Sequence, residues 1–345
     1  MRRTFLSIAI ASTVGLATAG SAWAQAPLKK VTIVIGSPGL IYSLHYVAVG
    51  AGLFAAEGLD VETVQVSSGT QQIAAVLGGS AIVVPTNIEH VIRSSAQGGD
   101  MVAVSRIYDT YPYVLVLSNK AIAQTGILPK MPIDEKVRRL KSLKIGITSV
   151  GSGTDSFLRS LFSARGLVPD KEITIQPLGS ADGMLVAMER GLIDGFAFIA
   201  PHSEIPAQKG YGKVVIDPIS GEVPELKDVP YLVVTTSRKN IAANPEAIKA
   251  ITRAYTRAIK FTKDDPQQAR LLVRKNLGAA DQQTFDAAFK KYLSALPPEP
   301  VITSSQVDNM VRWMNYGAPA PIKVGFTDVV VSGFAADASK SILGK

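Results

Sequence analysis

Residues 143–166 read LKIGITSVGSGTDSFLRSLFSARG, and three kinds of local structure follow one another within them. Leu143 to Thr148 is a short apolar strand in which Ile145 and Ile147 alternate with smaller residues. Ser149-Val150-Gly151-Ser152-Gly153 is a turn of mostly small and hydroxylic residues. From Thr154-Asp155 the pattern becomes helical, with Phe157, Leu158, Leu161 and Phe162 on one face and Arg159 off it. Gly166 stops the helix, and Pro169 stands just beyond. Such a strand, turn and helix start make a small receptacle. The first helical N–H groups have no carbonyl partner, and the positive end of the helix dipole points outward. The glycines fit neither nucleotide fingerprint: G-x-G-x-x-G lacks its third glycine here, and no Gly-Lys-Ser/Thr follows. An ordinary capped turn, with Thr154 or Ser152 as N-cap and Asp155 complementing the dipole, accounts for the same residues. Context has to decide.

The chain begins with the grammar of an export signal. Arg2-Arg3 precede an apolar run from Phe5 to Ala19, and Ala22-Trp23-Ala24 is an A-x-A cleavage site. Ser12, Thr13 and Thr18 interrupt that run, which is too short for a membrane anchor. Residues 1–24 are therefore expected to be removed after Ala24. The chain contains no cysteine, so neither a lipid anchor nor a disulfide framework is available. A soluble periplasmic protein is expected. Arg2 and Arg3 leave with the signal, so the formal charge of +8 falls by two. The remaining Lys and Arg are scattered, which suits a solvated surface that weakly attracts anions and argues against nucleic acid. About 320 mature residues suffice for two domains.

Short β-rich runs and short helices alternate from Val31 onwards. Strands at 31–35, 61–66, 81–84, 101–107 and 113–117 are interleaved with helices at 42–56, 71–77 and 86–96. A loop-like stretch, 121–132, and a short charged helix, 134–140, lead to a second array. It holds the strand at 143–148, others at 173–176, 194–199 and 213–216, and helices at 181–190 and 201–209. Tyr231 to Thr236 is one more strand. Beyond Ser237 the chain is helical, with helices at 245–263, 266–277, 281–293, 303–316 (capped by Ser304 or Ser305) and 326–343. A helical tail without strands must pack on something already built, most economically the first domain. The expected division is residues 25–117 as the first part of lobe 1, 118–230 as lobe 2, and 231–345 returning to lobe 1. The strands at 113–117 and 231–236 would be the crossing strands. This is an α/β protein with two lobes, a hinge and a cleft.

Ligands of open α/β sheets sit beyond the carboxyl ends of the strands. Those ends carry Ser37-Pro38-Gly39 with Tyr42 and His45, Ser67-Ser68-Gly69-Thr70, and Pro85-Thr86-Asn87. In the second array they carry Ser149 to Asp155, Gly179-Ser180-Ala181-Asp182 and Ala200-Pro201-His202. Each alone is an ordinary cap; six facing one crevice describe a neutral pocket rich in donors. Catalytic signatures are missing. His45, His90 and His202 are the only histidines, none paired at metal-ligand spacing, and there is neither a G-x-S-x-G elbow nor a cysteine nucleophile. No cofactor or metal is expected. His45 and His90 suit packed helix positions, and Met310 and Trp313 suit core.

Gly52-Leu53-Phe54, with Glu57-Gly58-Leu59-Asp60-Val61-Glu62, resembles an element of a known family. That family comprises the periplasmic solute-binding proteins that feed ABC importers of sulfonates, taurine, nitrate and thiamine-precursor pyrimidines. Leu140 to Gly146 with Gly151-Ser152-Gly153-Thr154 looks like its second-lobe start, and Gly191-Leu192-Ile193-Asp194-Gly195 is similar to another of its elements. The resemblance covers residues 31–235 and, loosely, the tail. It implies a type II periplasmic binding protein-like fold that closes on a small molecule by hinge motion and works with a membrane permease. It also implies that the Ser152-Gly153-Thr154 turn holds the ligand's anionic end, opposed by the loop after the first strand. Enzymes among the relatives carry a cysteine-rich motif that this chain lacks. The expected ligand shell is Ser37, Pro38, Gly39, Tyr42, His45, Ser68, Gly69, Thr86, Asn87, Tyr111, Ser152, Gly153, Thr154, Ser180 and Pro201. No arginine lies in these loops, Arg106 and Arg159 being nearest, so a small organic monoanion, sulfonate or carboxylate, is expected rather than a doubly charged one. Tyr42, Tyr108, Tyr111, Tyr113 and Phe198 could stack on its apolar body. A monomer is expected. The competing readings are a periplasmic enzyme using His45, His202, Asp155 or Asp182, and a ligand-sensing partner of a membrane receptor.

Overall fold

Alternating β-branched runs and Gly/Ser turns produce, among the described residues, ten strands in three sheets. The computed structural model describes residues 28–278 and 280–345, so the expected signal and its cleavage point lie outside it. β1 (Lys29–Ile35) pairs in parallel with β2 (Leu59–Gln65), Lys29 opposite Leu59. β3 (Val84–Asn87) and β4 (Met101–Tyr108) flank β10 (Leu232–Ser237), both antiparallel to it. A bridge between Ile33 and Val83 joins these two sheets into the first lobe.

The second lobe is one sheet of five strands. They are β5 (Val114–Ser118), β6 (Lys144–Ile147), β7 (Thr174–Pro177), β8 (Gly195–Phe198) and β9 (Gly212–Ile216). Their spatial order is β7-β6-β8-β5-β9, with β5 antiparallel to both neighbours. The division expected at residue 117 therefore moves. Val114 to Leu117 are all buried, which suits a strand sandwiched inside the second sheet, so the chain crosses earlier, through Asp109–Tyr113. The chain later runs into β10, which pairs with β3 and β4. β3 also starts three residues later than its expected range and runs to Asn87, which places Thr86 and Asn87 at the strand's end.

Pro245–Asp264, the longest helix, buries Ile248, Ile251, Ala254, Tyr255 and Ile259 on one stripe against the first lobe's Ser43–Gly50 helix. Each large side chain so buried contributes about 1.5–3 kcal/mol. The tail does not all return to the first lobe, however. Ser304–Gly317 lies on the second lobe's Gly153–Ser163 helix and touches the first lobe's Ile88–Ala96 helix. Gly317 permits that approach, since a Cβ there would stand 2.9 Å from the Ser160 nitrogen. Its cap is Thr303, in a reciprocal capping box with Gln306, rather than Ser304 or Ser305. The helix expected at 42–56 breaks at Gly52, which takes φ +68°. Part of the expected loop at 121–132 is helical, Asn119–Thr125, capped by Ser118. The last expected helix is split, because Val330 leaves it to bridge Ala103 at the edge of β4. One buried apolar cluster runs through both lobes. Tyr111 joins it at the crossing, ringed by Phe157, Tyr231 and Trp313 at centroid distances of 5.1 to 5.9 Å.

Candidate functional site

Three loops of the first lobe are tied into one wall. Ser37 Oγ donates to the Ser67 carbonyl at 2.8 Å, linking the turns after β1 and β2. Tyr42 Oη donates to Gln72 Oε1 at 3.3 Å, and Gln72 Nε2 donates to the carbonyls of Val34 (3.0 Å) and Pro85 (2.6 Å). Gly69 opens the helix after β2 beside the turn after β3: a Cβ there would stand 2.5 Å from His90 Nε2 and 3.3 Å from Thr86 Oγ1. Ser68 and Asn87 hold the N-cap positions of the Gly69–Leu77 and Ile88–Ala96 helices without side-chain caps.

The second lobe meets this wall at close range. At the start of the Gly153–Ser163 helix, a Cβ on Gly153 would fall 2.5 Å from Tyr113 and 2.6 Å from Asn87 Nδ2. Ser152 caps that helix, accepting from the Asp155 nitrogen at 3.4 Å. The Leu40 N–H donates to the Ala200 carbonyl at 3.0 Å, and Gly39 lies under Ile199. Helix starts from both lobes thus converge, and the lobes touch there. Cavities of about 460 and 480 Å³ open outside this contact, one beside Arg93, Gly151 and Arg159, the other around Asp228 and Arg312.

Several expected residues have other employment. Thr154 Oγ1 is engaged by the Thr148 nitrogen (3.0 Å), Thr148 Oγ1 (3.1 Å) and Ser152 Oγ (2.8 Å), so it holds the turn together. Asp155 accepts from the Gly151 nitrogen and from Arg159 Nε, each at 2.8 Å. Tyr111 is fully buried and donates to Glu89 Oε1 at 2.8 Å. Ser180 caps the Ala181–Glu189 helix through the Gly183 nitrogen. Pro38 is half-buried, and Pro201 is buried behind Ala200. His45 does not join the others. Its helix turns it toward Pro245–Asp264, where Nδ1 meets Tyr255 Oη and Nε2 meets Thr63 Oγ1, each at 2.9 Å. Burial pushes its pKa down to about 3. Tyr108 stacks on Tyr292 at 5.3 Å and, with Leu40, Ile199 and Ala200, lines a small cavity between the lobes.

Sequence reasoning missed an arginine. Arg93 reaches across the lobes, Nη1 donating to the Gly151 carbonyl at 3.1 Å and Nη2 to Ser156 Oγ at 2.8 Å. Nη2 also stands 3.5 Å from Glu89 Oε2. Burial raises the pKa of Glu89, against the opposing pull of Arg93, Ser156 and Tyr111. The only available signal was the i,i+4 spacing of Glu89 and Arg93. Arg106, by contrast, is committed to Asp109 at 2.8 Å and to the Glu299 carbonyl. His90 and Tyr231 were missed too. Desolvation, with Arg93 nearby, lowers the pKa of His90 to about 3. Burial also lowers that of His202, opposed by Asp182. Both imidazoles are therefore neutral at pH 7. Among the described residues no group of three His, Cys, Asp or Glu could hold a metal, and no helix is long and apolar enough to cross a membrane.

Residues 24–275 match the model of the NMT1-like family. No curated protein matches the chain. Among solved structures, a protein of Bordetella bronchiseptica RB50 is 24% identical, with a TM-score of 0.80 over 90% of this chain and 97% of that one. The periplasmic aliphatic sulphonate binding protein SsuA from Escherichia coli is 19% identical, with a TM-score of 0.61 over 85% and 95%. The periplasmic nitrate-binding protein NrtA from Synechocystis PCC 6803 is 15% identical, with a TM-score of 0.66 over 91% and 89%. These likenesses show the fold: it is that of periplasmic binding proteins, two α/β lobes.

Proposed function

Because the chain belongs to the NMT1-like family, we propose that it is an exported solute-binding protein, active as a monomer. It captures a small organic anion between its lobes and delivers it to the permease of an ABC importer. The observation that carries this reading is the convergence of helix starts from both lobes on the contact of Asn87, Tyr113 and Gly153. Unpaired N–H groups at helix starts favour a carboxylate or sulfonate head, and Gly153 lets Tyr113 and Asn87 pack directly against one of those starts. Arg93 is already balanced by Glu89 and spends its other donors across the lobes, so the charge left for the solute suits a monoanion. Tyr42, Tyr113 and Tyr231 supply faces for an apolar body. The solute leaves chemically unchanged: Asp155 and His45, two of the groups an enzyme would need, are both engaged elsewhere.

A thermal-shift screen of sulfonates, aliphatic and aromatic carboxylates, nitrate and pyrimidines tests this. A solute at a hundred times its dissociation constant stabilises by about 2.7 kcal/mol, which amounts to several degrees for a chain of this size. One class of anion is expected to give that shift and to be recovered unaltered. Turnover of the bound compound, or shifts from neutral pyrimidines alone, would contradict the reading.

A further inference from the structure

Asn87 holds the N-cap position of the Ile88–Ala96 helix, where an asparagine ordinarily turns back to accept from the first helical N–H groups. It makes no such bond. Its amide faces the second lobe instead, with Nδ2 2.6 Å from where a Cβ on Gly153 would stand. The residue is only 4% exposed, and among the described residues Oδ1 has no hydrogen-bond partner. Nδ2 spends one hydrogen on a long contact to Tyr231 Oη, 3.4 Å. A forgone cap and a buried unpaired carbonyl both cost stability, and the amide's one long contact to Tyr231 is a weak return for them. One turn further, His90 repeats the pattern: Nε2 is buried and unpartnered on the same wall, and the ring is neutral at pH 7.

We propose that Asn87 is reserved for the solute and determines its class. Its Oδ1 accepts a hydrogen bond from an N–H or O–H on the body of the bound anion. The site thereby prefers hydroxy-, amino- or amido-substituted acids to plain alkyl or aryl ones. This rests on the reading of the cleft as an organic-anion site. The neutral amide fits that reading, since it takes a donor without setting a second negative charge beside the anionic head. Tyr113, equally close to Gly153, would flank the same body.

Matched probes test it by calorimetry: lactate with propionate, taurine with ethanesulfonate, and 4-hydroxybenzoate with benzoate. In the pair that binds, the substituted member is expected to bind at least about tenfold tighter, and Asn87→Leu to shrink that preference to within about threefold. The ligand-free protein gives an independent readout. Leu fills similar space without an unpaired carbonyl, so Asn87→Leu is expected to melt at or above the wild-type temperature. A fall of several degrees would mark Asn87 as structural and overturn the proposal. Equal binding of both members of a pair, or a preference that survives the substitution, sinks this proposal alone. If none of the six probes binds, the organic-anion reading falls and takes this one with it.

Discussion

Arg93 offers the sharpest test of how the lobes are held together. Its guanidinium leaves the Ile88–Ala96 helix of the first lobe and donates to Gly151 and Ser156 in the second. The side chain is 32% exposed, so each bond is discounted to about 1 kcal/mol from the 1.5–3 of a buried charge-assisted bond. Two such bonds give about 2 kcal/mol. That energy belongs to the closed form, because both acceptors lie across the cleft. At 1.4 kcal/mol per decade, Arg93→Met is expected to weaken solute binding by about 30-fold. The single variant also strands Glu89, which is wholly buried, and so costs stability within the first lobe. Glu89→Gln removes that charge while keeping an acceptor for Tyr111. The Glu89→Gln/Arg93→Met double variant is therefore expected to regain most of the melting temperature lost by Arg93→Met, and none of the lost affinity. Thermal melts at pH 7 and calorimetry with whichever anion the screen identifies read the two quantities separately. Wild-type affinity in the double variant would refute the reasoning, because the cross-lobe bonds would then contribute nothing to closure.

Three further outcomes are expected. Gly153→Ala puts a methyl group 2.5 Å from Tyr113 and should cut affinity by about tenfold or more. Because Gly153 is the first residue of its helix, the interior preference for alanine does not offset that clash, and the melting temperature should fall as well; unchanged affinity would mean the lobes do not meet there. Thr303→Ala removes the capping box of Ser304–Gly317 and should cost about 1 kcal/mol, read as a drop of about 2–4 °C. His45 and His90 have pKa values lowered from 6.5 to about 3 by burial. Between those values the unfolded chain binds the extra protons, so their contribution is full above pH 6.5 and is lost as pH falls toward 3. Urea melts from pH 7 to 4 should fall steeply, and less steeply in His45→Gln; a flat profile would contradict neutral burial.

What could be read from the chain alone was local. Strands and turns were legible because period-two alternation and Gly/Ser punctuation are written within a few residues, as in 143–153. β5 was placed in the wrong lobe because nothing in Val114–Leu117 distinguishes the strand that ends one sheet from the strand that enters the next. Only the pairing with Phe198 and Ile216 decides it. Arg93 escaped notice for a related reason. It lies more than a turn inside a helix, beyond any loop, and matters only because the Gly153–Ser163 helix arrives opposite it. His45 erred in the other direction, sitting near the right loop in sequence but facing the wrong neighbour. Asn87 combines the two cases. Its position before Ile88 reads as a cap, and the local rule is sound, yet the folded chain declines the bond and leaves the carbonyl buried without a partner. When local preference and tertiary structure disagree at a buried polar side chain, the position is a candidate for function. Asn87, between the two lobes, is such a position, and the matched-probe calorimetry above tests whether a solute fills it.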